Sequence, residues 1–297
     1  MHSSSPGYLF RQALLKEKPL QIVGVVNAYC ALMAQDVGFK ALYLSGAGVA
    51  NACFGLPDLG MTSLDNVLQE VQRITSVSAL PLLVDVDTGW GSILNVARTT
   101  SLLARAGAAG LHLEDQILSK RCGHREGKKL IHVDTMSARI RAAVQAKPDP
   151  HFVVMARTDA YSVEGLEAAI ARSRAYVAAG ADMIFAEALE HIEDYKPFVE
   201  AVGVPVLANM TEFGKTPLYD REALKKVGVS MALYPLTAFR AMNQAALETY
   251  QVIRETGTQQ SLLPRMQTRE ALYQFLDYVK YEHIIDEALK KDEEHEA

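Results

Sequence analysis

Eight short apolar runs recur along most of the chain, and longer amphipathic stretches separate them. The runs are nearly continuous in Val, Ile, Leu and Ala, which is typical of parallel strands buried on both faces. They cover residues 22–27, 41–46, 82–87, 110–115, 152–159, 183–188, 204–210 and 229–235. This repeated alternation of strand and helix patterns favours a parallel α/β architecture.

The stretches between the runs carry helix signals. Ser63 is a candidate N-cap, and Leu64, Val67, Val71 and Ile74 follow it at helical spacing. Several predicted helices end just before the next strand in a glycine, which suits the left-handed position after a helix: Gly38, Gly107, Gly180 and Gly228. Eight such units predict a (β/α)8 barrel. An open doubly wound sheet is the alternative, but no Gly-x-Gly-x-x-Gly follows the first run.

The chain is predicted to form one domain, residues 1–297, because no Pro-, Gly- or Ser-rich linker interrupts residues 20–255. Residues 237–297 show no further strand pattern and are predicted to form a helical tail. One tail helix would complete the barrel. The surplus apolar helix must be buried elsewhere, so we expect extra C-terminal helices that contact a partner subunit.

Charge and cysteine content exclude several classes of function. The formal net charge is −5, and no stripe of Lys and Arg indicates a nucleic-acid partner. No apolar run approaches the length of a membrane span, and residues 1–19 lack the apolar stretch of a secretory signal. Three cysteines, Cys30, Cys53 and Cys122, argue against a disulfide framework and for a reducing compartment. We therefore predict a cytoplasmic protein.

Polar residues collect where the predicted strands end. Parallel barrels and open parallel sheets both place their chemistry at the carboxyl ends of strands. Any one of these residues suits a solvated loop, but a purely structural barrel has no reason to gather charge at so many strand ends. The set comprises Asn27, Ser45, Asp85, Asp87, Glu114, Asp115, Arg157, Asp159, Glu187, Asn209 and Thr211.

Asp85 and Asp87 end the third run, two residues apart, so both carboxylates are expected on one side of the strand. Two carboxylates in one place repel each other, and a divalent cation relieves that repulsion. Mg²⁺ prefers oxygen ligands, and Glu114 and Asp115 on the next run can join its coordination or support it. The alternatives are an acid/base pair without metal or a hydrogen-bonded structural pair.

Lys120-Arg121-Cys122-Gly123-His124 begins a polar loop after the fourth run. A thiol among cations and a histidine is expected to have a lowered pKa, which suits proton transfer. The glycine allows the backbone to approach a ligand closely. The alternative is an ordinary cysteine in a solvated basic loop.

Several residues are candidates to bind an anionic substrate. Arg157 interrupts an apolar run, and its guanidinium matches a carboxylate. For Arg240 and Arg269, in helical or loop sequence, a surface position is the default. Small residues at 45–48 can offer backbone N–H groups, or simply shape a tight turn, and residues 209–212 offer amide and hydroxyl groups.

Six stretches together resemble the isocitrate lyase/phosphoenolpyruvate mutase superfamily: residues 43–46, 84–91, 114–116, 120–124, 156–159 and 209–214. The resemblance extends from about Gly7 to Tyr281, and the loop at 120–124 is its most specific part. The mutase branch lacks this cysteine loop, and isocitrate lyases are usually longer chains with a Lys-Lys-Cys-Gly-His version. The chain is most similar to the branch that cleaves 2-methylisocitrate.

The resemblance implies roles for individual residues. Asp85, Asp87 and Glu114 would serve Mg²⁺, or alternatively Mn²⁺, and Cys122, Tyr43 and His124 would be catalytic. The implied substrate-binding set is Ser45, Gly46, Ala47, Asp58, Cys122, Gly123, Arg157, Glu187, Asn209, Met210, Thr211, Arg240 and Arg269. Ala47 replaces a glycine that is common in the superfamily, so a close backbone approach is less certain there.

The implied reaction is a retro-aldol-type cleavage of 2-methylisocitrate to pyruvate and succinate, with Cys122 delivering a proton to carbon. Phe185 and Leu233 are candidates for the wall beside the substrate methyl group, or else plain barrel core. The resemblance also implies homotetramers that exchange C-terminal helices. An isocitrate lyase, a related hydrolase and a barrel without enzymatic activity are the alternatives.

Overall fold

The computed structural model describes residues 4–296, with side chains to Leu289. The chain divides into two compact units, Met1–Arg240 and Ala241–Ala297. The predictions for the N-terminal segment and for the tail include residues 1–3 and residue 297. These residues lie outside the described part. Among the described helices, none has the combination of length and apolar composition that crossing a membrane requires.

The first unit is a closed parallel barrel in which eight strands pair in sequence order and β1 also pairs with β8. This arrangement confirms the predicted (β/α)8 barrel and excludes the open sheet. The strands are β1 (Leu20–Gly24), β2 (Ala41–Leu44), β3 (Leu82–Asp85), β4 (Gly110–Glu114), β5 (Val153–Thr158), β6 (Met183–Ala186), β7 (Val206–Asn209) and β8 (Met231–Tyr234).

The helices alternate with the strands as predicted, and the four glycines have left-handed φ angles between 84° and 106°. Ser63 caps α4 in a capping box with Asn66. The helices up to β8 are α1 (Pro6–Lys16), α2 (Ala28–Val37), α3 (Gly46–Phe54), α4 (Leu64–Val77), α5 (Ile93–Arg105), α6 (Val133–Ala146), α7 (Tyr161–Glu164), α8 (Leu166–Ala178), α9 (Ile192–Val202) and α10 (Arg221–Lys226).

All eight strands end earlier than their apolar runs predict. Asp87 and Ala188, placed in strands by the sequence, have φ angles of 49° and 58° and lie in the loops that follow. Left-handed backbone cannot continue a strand, since extended residues have negative φ. The predicted polar residues therefore divide into two groups. The last residues of the strands include Asp85, Glu114, Arg157 and Asn209, and the others, such as Asp87 and Asp159, lie on the loops just beyond.

The core has an outer and an inner part. The outer part fills the space between the strands and their helices, and it includes Leu42, Val84 and Leu111. The inner part fills the barrel and includes Tyr43, Phe185 and Leu233. Because side chains alternate across a strand, each strand supplies both parts.

The N-terminal helix α1 was not predicted from the sequence. Its Phe10 is buried with the inner core, and its Arg11 donates to the carbonyl of His151 and to Asp182, residues that precede β5 and β6. These contacts place α1 at the amino ends of the strands, opposite the rim where the polar residues collect.

The remaining helices form the second unit, after α11 (Thr237–Thr256) begins in the first. A 3₁₀ helix (Gln260–Arg265), α12 (Arg269–Phe275) and α13 (Tyr278–Glu296) follow. No strand occurs between residue 237 and residue 296, which agrees with the predicted helical tail.

Candidate active site

The polar residues predicted at the strand ends converge on the carboxyl rim of the barrel. Strand register places Asp85 beside His112 and Glu114 beside Arg157 on neighbouring strands. All of these side chains are almost fully buried. Buried charge is costly unless it is paired, so the rim must be organised by ion pairs, hydrogen bonds or a bound ion.

Lys120 is a buried cation on the acidic side of the rim. Its Nζ lies 2.5 Å from Asp87 Oδ1 and 2.6 Å from Asp58 Oδ1. Asp58, implied as a substrate ligand, is therefore in the same ionic cluster as the predicted metal ligand Asp87. Asp85 uses its oxygens differently, because Oδ2 accepts the Gly46 N–H and Oδ1 accepts the Asp87 N–H, each at 3.0 Å.

Two carboxylates on this side remain poorly compensated. Burial raises the pKa of Asp87 to about 6 despite the attraction of Lys120, and repulsion from Asp85 adds to the rise. Burial also raises the pKa of Glu114 well above its ordinary value. Both Glu114 oxygens lack a hydrogen-bond partner, although Arg157 Nε lies 3.4 Å from one of them.

These carboxylates fit a hydrated divalent cation better than a fully coordinated one. Among the side chains that the structure describes, residues 4–289, no three or more His, Cys, Asp or Glu are grouped as a metal site would need. Mg²⁺, however, usually keeps several waters and binds through one or two carboxylates. The oxygen-only donors and the orphaned, buried Glu114 suit that ion, which would supply the charge that Asp87 and Glu114 lack.

His112 was missed as a site residue. It is fully buried in the barrel, its Nε2 is 2.9 Å from the Tyr43 hydroxyl and 3.7 Å from Asp85 Oδ1, and its ring meets Phe185 edge-on. Burial lowers the pKa of His112 to about 4, so the ring is neutral near neutral pH. The signal was present, since His112 and Glu114 alternate with leucines on one face of β4.

Arg157, predicted to bind a substrate carboxylate, is engaged by carboxylates of the protein. Its Nε lies 3.0 Å from Asp159 Oδ2, and its Nη2 lies 3.0 Å from Glu187 Oε2. Burial opposes the ionisation of Glu187, but Arg157 and His124 outweigh that effect and lower its pKa. Arg157 thus keeps this side of the rim ionised, and a substrate carboxylate would share it with these acids.

The Cys122 loop, residues 116–132, lies over this rim. At its base, the Gln116 side chain accepts the Arg121 N–H and donates to the Arg121 carbonyl, both at 2.9 Å. At Gly123, an added Cβ would lie 2.5 Å from Arg157 Nη2 and 2.6 Å from Glu187 Cγ. Glycine is required here because the backbone passes so close to buried charged side chains.

The expectation of a lowered pKa for Cys122 is wrong. Burial raises the pKa of the thiol, and hydrogen bonding from the His124 backbone and the charge of Arg157 only partly oppose the rise. The cations expected to stabilise a thiolate bind elsewhere: Lys120 pairs with Asp87, and the Arg121 guanidinium donates to the Glu126 carbonyl. Cys122 is therefore a neutral thiol, the protonation state of an acid.

His124 connects the Cys122 loop to the loop after β7. Its Nδ1 accepts the Lys215 N–H at 3.0 Å, which leaves a proton for Nε2, 3.1 Å from Glu187 Oε1. Asn209, a predicted substrate ligand, donates to Glu187 at 3.3 Å. His124 therefore has the surroundings of a residue that aligns two loops, and its predicted catalytic role stays a prediction.

The other predicted ligands lie in different settings. Ser45 caps α3 by accepting the Gly48 N–H, and half-buried Ala47 lies in the first turn of that helix. Thr211 is buried at the rim, whereas the Met210 side chain packs in the outer core, so a binding role for Met210 would fall to its main chain.

The two remaining predicted ligands are arginines. Arg240 is half-exposed, and it lies 3.5 Å from Glu212 and near the Phe213 ring. Arg269 begins α12 in the second unit.

Comparison with known proteins finds a matching family profile and relatives that agree with it. The phosphoenolpyruvate phosphomutase family profile matches residues 10–254. The chain is 56% identical over 290 residues to the 2-methylisocitrate lyase of Shewanella oneidensis, covering 98% of this chain and 99% of the relative. It is 57% identical over 287 residues to the Escherichia coli 2-methylisocitrate lyase, covering 96% and 97%.

A solved structure also matches the whole fold. The 2,3-dimethylmalate lyase, described as a PEP mutase/isocitrate lyase superfamily member, superposes with a TM-score of 0.88 at 34% identity and covers 96% of both chains. Together these relatives confirm the predicted superfamily and the prediction that the chain is an enzyme of the lyase class.

Gly123→Ala should open the Cys122 loop, because the new Cβ would collide with Arg157 and Glu187. Overpacking of this kind costs roughly 1–3 kcal/mol, so amide protection of residues 117–131 should fall by about 5- to 150-fold in hydrogen exchange. Glu126→Ala, on the exposed part of the same loop, is the control and should leave exchange unchanged. Wild-type protection in Gly123→Ala would show that the loop does not pack on these side chains.

Proposed function

This chain belongs to the phosphoenolpyruvate phosphomutase family, and we propose from that premise that it cleaves 2-methylisocitrate to pyruvate and succinate. The observation that carries the proposal is the position of the Cys122 thiol, in a loop that lies over a rim of buried carboxylates. A role in the methylcitrate cycle of propionate breakdown is part of the same proposal. The 2-methylisocitrate lyases at 56% and 57% identity support the choice of substrate.

The charge balance of the rim is the reason for proposing Mg²⁺. A tricarboxylate is a polyanion, and on this rim carboxylates already outnumber cationic side chains. Asp85, Asp87 and Glu114 would hold the ion, which would act as a Lewis acid on substrate oxygens. The rim carboxylates are Asp58, Asp85, Asp87, Glu114, Asp159 and Glu187. The cationic side chains of the rim are Lys120, Lys128 and Arg157.

Cys122 suits the acid in this reaction. The substrate hydroxyl would lose its proton to water and become the carbonyl of pyruvate as the carbon–carbon bond breaks. The electron pair of that bond stays on the half that becomes succinate, and that carbon needs a proton. A half-buried thiol with a raised pKa carries the proton until negative charge develops beside it. The Cys122 thiol would donate its proton to this carbon and be left as a thiolate close to the charge of Arg157.

Tyr43 suits a hydrogen-bond donor rather than a base. Burial raises the pKa of its hydroxyl well above the ordinary value, and the negative charge of Asp85 adds to the rise. The hydroxyl therefore stays protonated, 2.9 Å from His112 Nε2 inside the barrel. From this position it would orient groups at the base of the site.

We also propose a homotetramer assembled through the second unit. The described part of α13 exposes apolar side chains in a single chain, including Val279, Ile284, Ile285 and Leu289. Soluble monomers rarely expose extended apolar surfaces, so burial against partner subunits is the expected outcome. The proposed exchange of C-terminal helices would accomplish this burial.

Product analysis tests the proposed reaction. The purified chain with Mg²⁺ should convert 2-methylisocitrate to equal amounts of pyruvate and succinate. Cys122→Ser should lose at least about 10²-fold in turnover, because a serine hydroxyl is a much weaker acid. Cys53→Ser, at an exposed cysteine, is the matched control and should keep the wild-type rate. Near-normal turnover in Cys122→Ser would remove the acid from the mechanism.

Thermal unfolding tests the metal without relying on activity. Free Mg²⁺ at about 100 times its dissociation constant should stabilise the fold by about 2.7 kcal/mol and raise Tm by several degrees, and EDTA should reverse the shift. Asp87→Asn should reduce the shift strongly, whereas Asp36→Asn, at an exposed position on α2, should not. A Tm that is insensitive to Mg²⁺ would contradict the proposal.

The substrate methyl group provides a test of specificity. Phe185 and Leu233 both face the barrel interior, and Phe185 contacts His112 and Arg157 from the side of the proposed site. One methyl group contributes roughly 1–3 kcal/mol, so kcat/KM should favour 2-methylisocitrate over isocitrate by about 10- to 200-fold. Equal or better use of isocitrate would instead indicate an isocitrate lyase.

Leu233→Phe should reduce kcat/KM for the methylated substrate more than for isocitrate, since a larger ring would fill the space for the methyl. The measurement is kcat/KM for both substrates with one preparation of each variant. If both substrates lose equally, Leu233 belongs to the barrel core and does not form the methyl pocket.

A further inference from the structure

Lys128 is a buried lysine in the Cys122 loop. Its side chain is 1% exposed, and its Nζ lies 2.9 Å from Asp159 Oδ1 and donates to the carbonyl of Gly123. Its neighbour Lys129 is exposed. Lysine is almost never fully buried unless it is paired, so the burial of Lys128 calls for a specific explanation.

We propose that Lys128 is a positioning residue that holds the Cys122 loop closed on the rim and so places the thiol, an inference that rests on the proposed role of Cys122. The Gly123 carbonyl belongs to the residue that directly follows Cys122. The Lys128 ammonium group thus connects the Gly123 carbonyl, beside the thiol, to the carboxylate of Asp159, which directly follows β5.

Asp159, which accepts from Lys128, is itself held in place by several hydrogen bonds. The Asp159 N–H donates to Asp115 Oδ1 at 2.9 Å, and its carboxylate accepts from Arg157 Nε at 3.0 Å. Asp115 in turn accepts from Thr158 and from Tyr176 of α8 at 2.8 Å each. Lys128 therefore fastens the loop to a network fixed by the barrel itself.

The rest of the loop cannot replace this contact. Gln116 fixes the base of the loop at Arg121, and the Ile117 N–H donates to the Lys129 carbonyl to pair the two arms. These bonds shape the loop within itself. Lys120, His124 and Lys128 hold the loop to the barrel rim through their side chains. Of these three side chains, Lys128 is the one that also binds the backbone carbonyl of the residue after the thiol.

A purely structural role for Lys128 would be to neutralise Asp159. Arg157 already donates to both oxygens of that carboxylate, at 3.0 and 3.3 Å. Removing the lysine charge therefore leaves Asp159 paired. What Lys128 adds is the Gly123 contact, so its loss should affect the loop and turnover more than the global fold.

The experiment compares Lys128→Met with Lys129→Met in the full-length chain with Mg²⁺. Each variant removes one lysine from the same loop, and both retain Arg121 and Arg125 as trypsin sites. We expect Lys128→Met to be cleaved after these arginines at least about tenfold faster than wild type, with other sites unchanged, and Lys129→Met to be cleaved within about twofold of wild type.

Kinetics separate positioning from mere stability. Misplacement of a reacting group by about 1 Å can cost roughly 10²-fold in rate. Lys128→Met should therefore lower kcat by about that factor with KM for 2-methylisocitrate within about threefold of wild type, while Lys129→Met keeps both values. If Lys128→Met does not accumulate as folded protein, Lys128→Gln, too short to reach both acceptors, should show faster loop cleavage and lower kcat.

The outcomes distinguish the two proposals. Wild-type protection of the loop in Lys128→Met or Lys128→Gln overturns the positioning role, as does equally faster cleavage along the whole chain. In a third outcome, the variant is cleaved selectively in the loop while the wild-type chain does not act on 2-methylisocitrate. That pair of results supports the loop contact and overturns only the proposed function.

Discussion

The pairing of β1 with β8 is the constraint on which the first unit depends, because it closes eight parallel strands into a ring. In a closed parallel ring every carboxyl end lies on the same rim. Residues far apart in sequence, from Asp58 to Asn209, are therefore brought to one surface. Phe10 and Arg11 of α1 pack at the opposite, amino end, so the two ends of the barrel separate stability from chemistry.

The rim is electrostatically divided. On one side, Arg157, Lys128 and His124 compensate Asp159 and Glu187, and these acids remain ionised in spite of burial. On the other side, Lys120 compensates Asp87 only in part, and Glu114 has no hydrogen-bond partner. Buried carboxylates that are not fully compensated, such as Asp87 and Glu114, are unfavourable in their ionised form unless a further cation is bound. One side is therefore a rigid frame, and the other is the side where we propose that Mg²⁺ binds.

The Cys122 loop joins these two sides. Lys120, before the thiol, pairs with Asp58 and Asp87, while Gly123, after it, packs on Arg157 and Glu187. The packing that gives the loop its contacts also leaves the thiol half-buried, and this burial raises its pKa. Loop closure and the protonated state of Cys122 are therefore one physical effect, and that state suits donation of a proton to carbon.

The sequence by itself determined the barrel, the rim and most of the proposed site residues, because buried parallel strands and helix-ending glycines leave local patterns. It could not determine the pKa of Cys122, since adjacent cations in sequence, such as Lys120, form their ion pairs across space. It missed α1, although Ser5 and Pro6 are a helix-start signal. It also missed His112, whose role depends on Tyr43 and Asp85 from neighbouring strands. Only the tertiary structure decided which charges compensate each other, because Coulomb attraction and burial depend on distances between residues that the sequence separates.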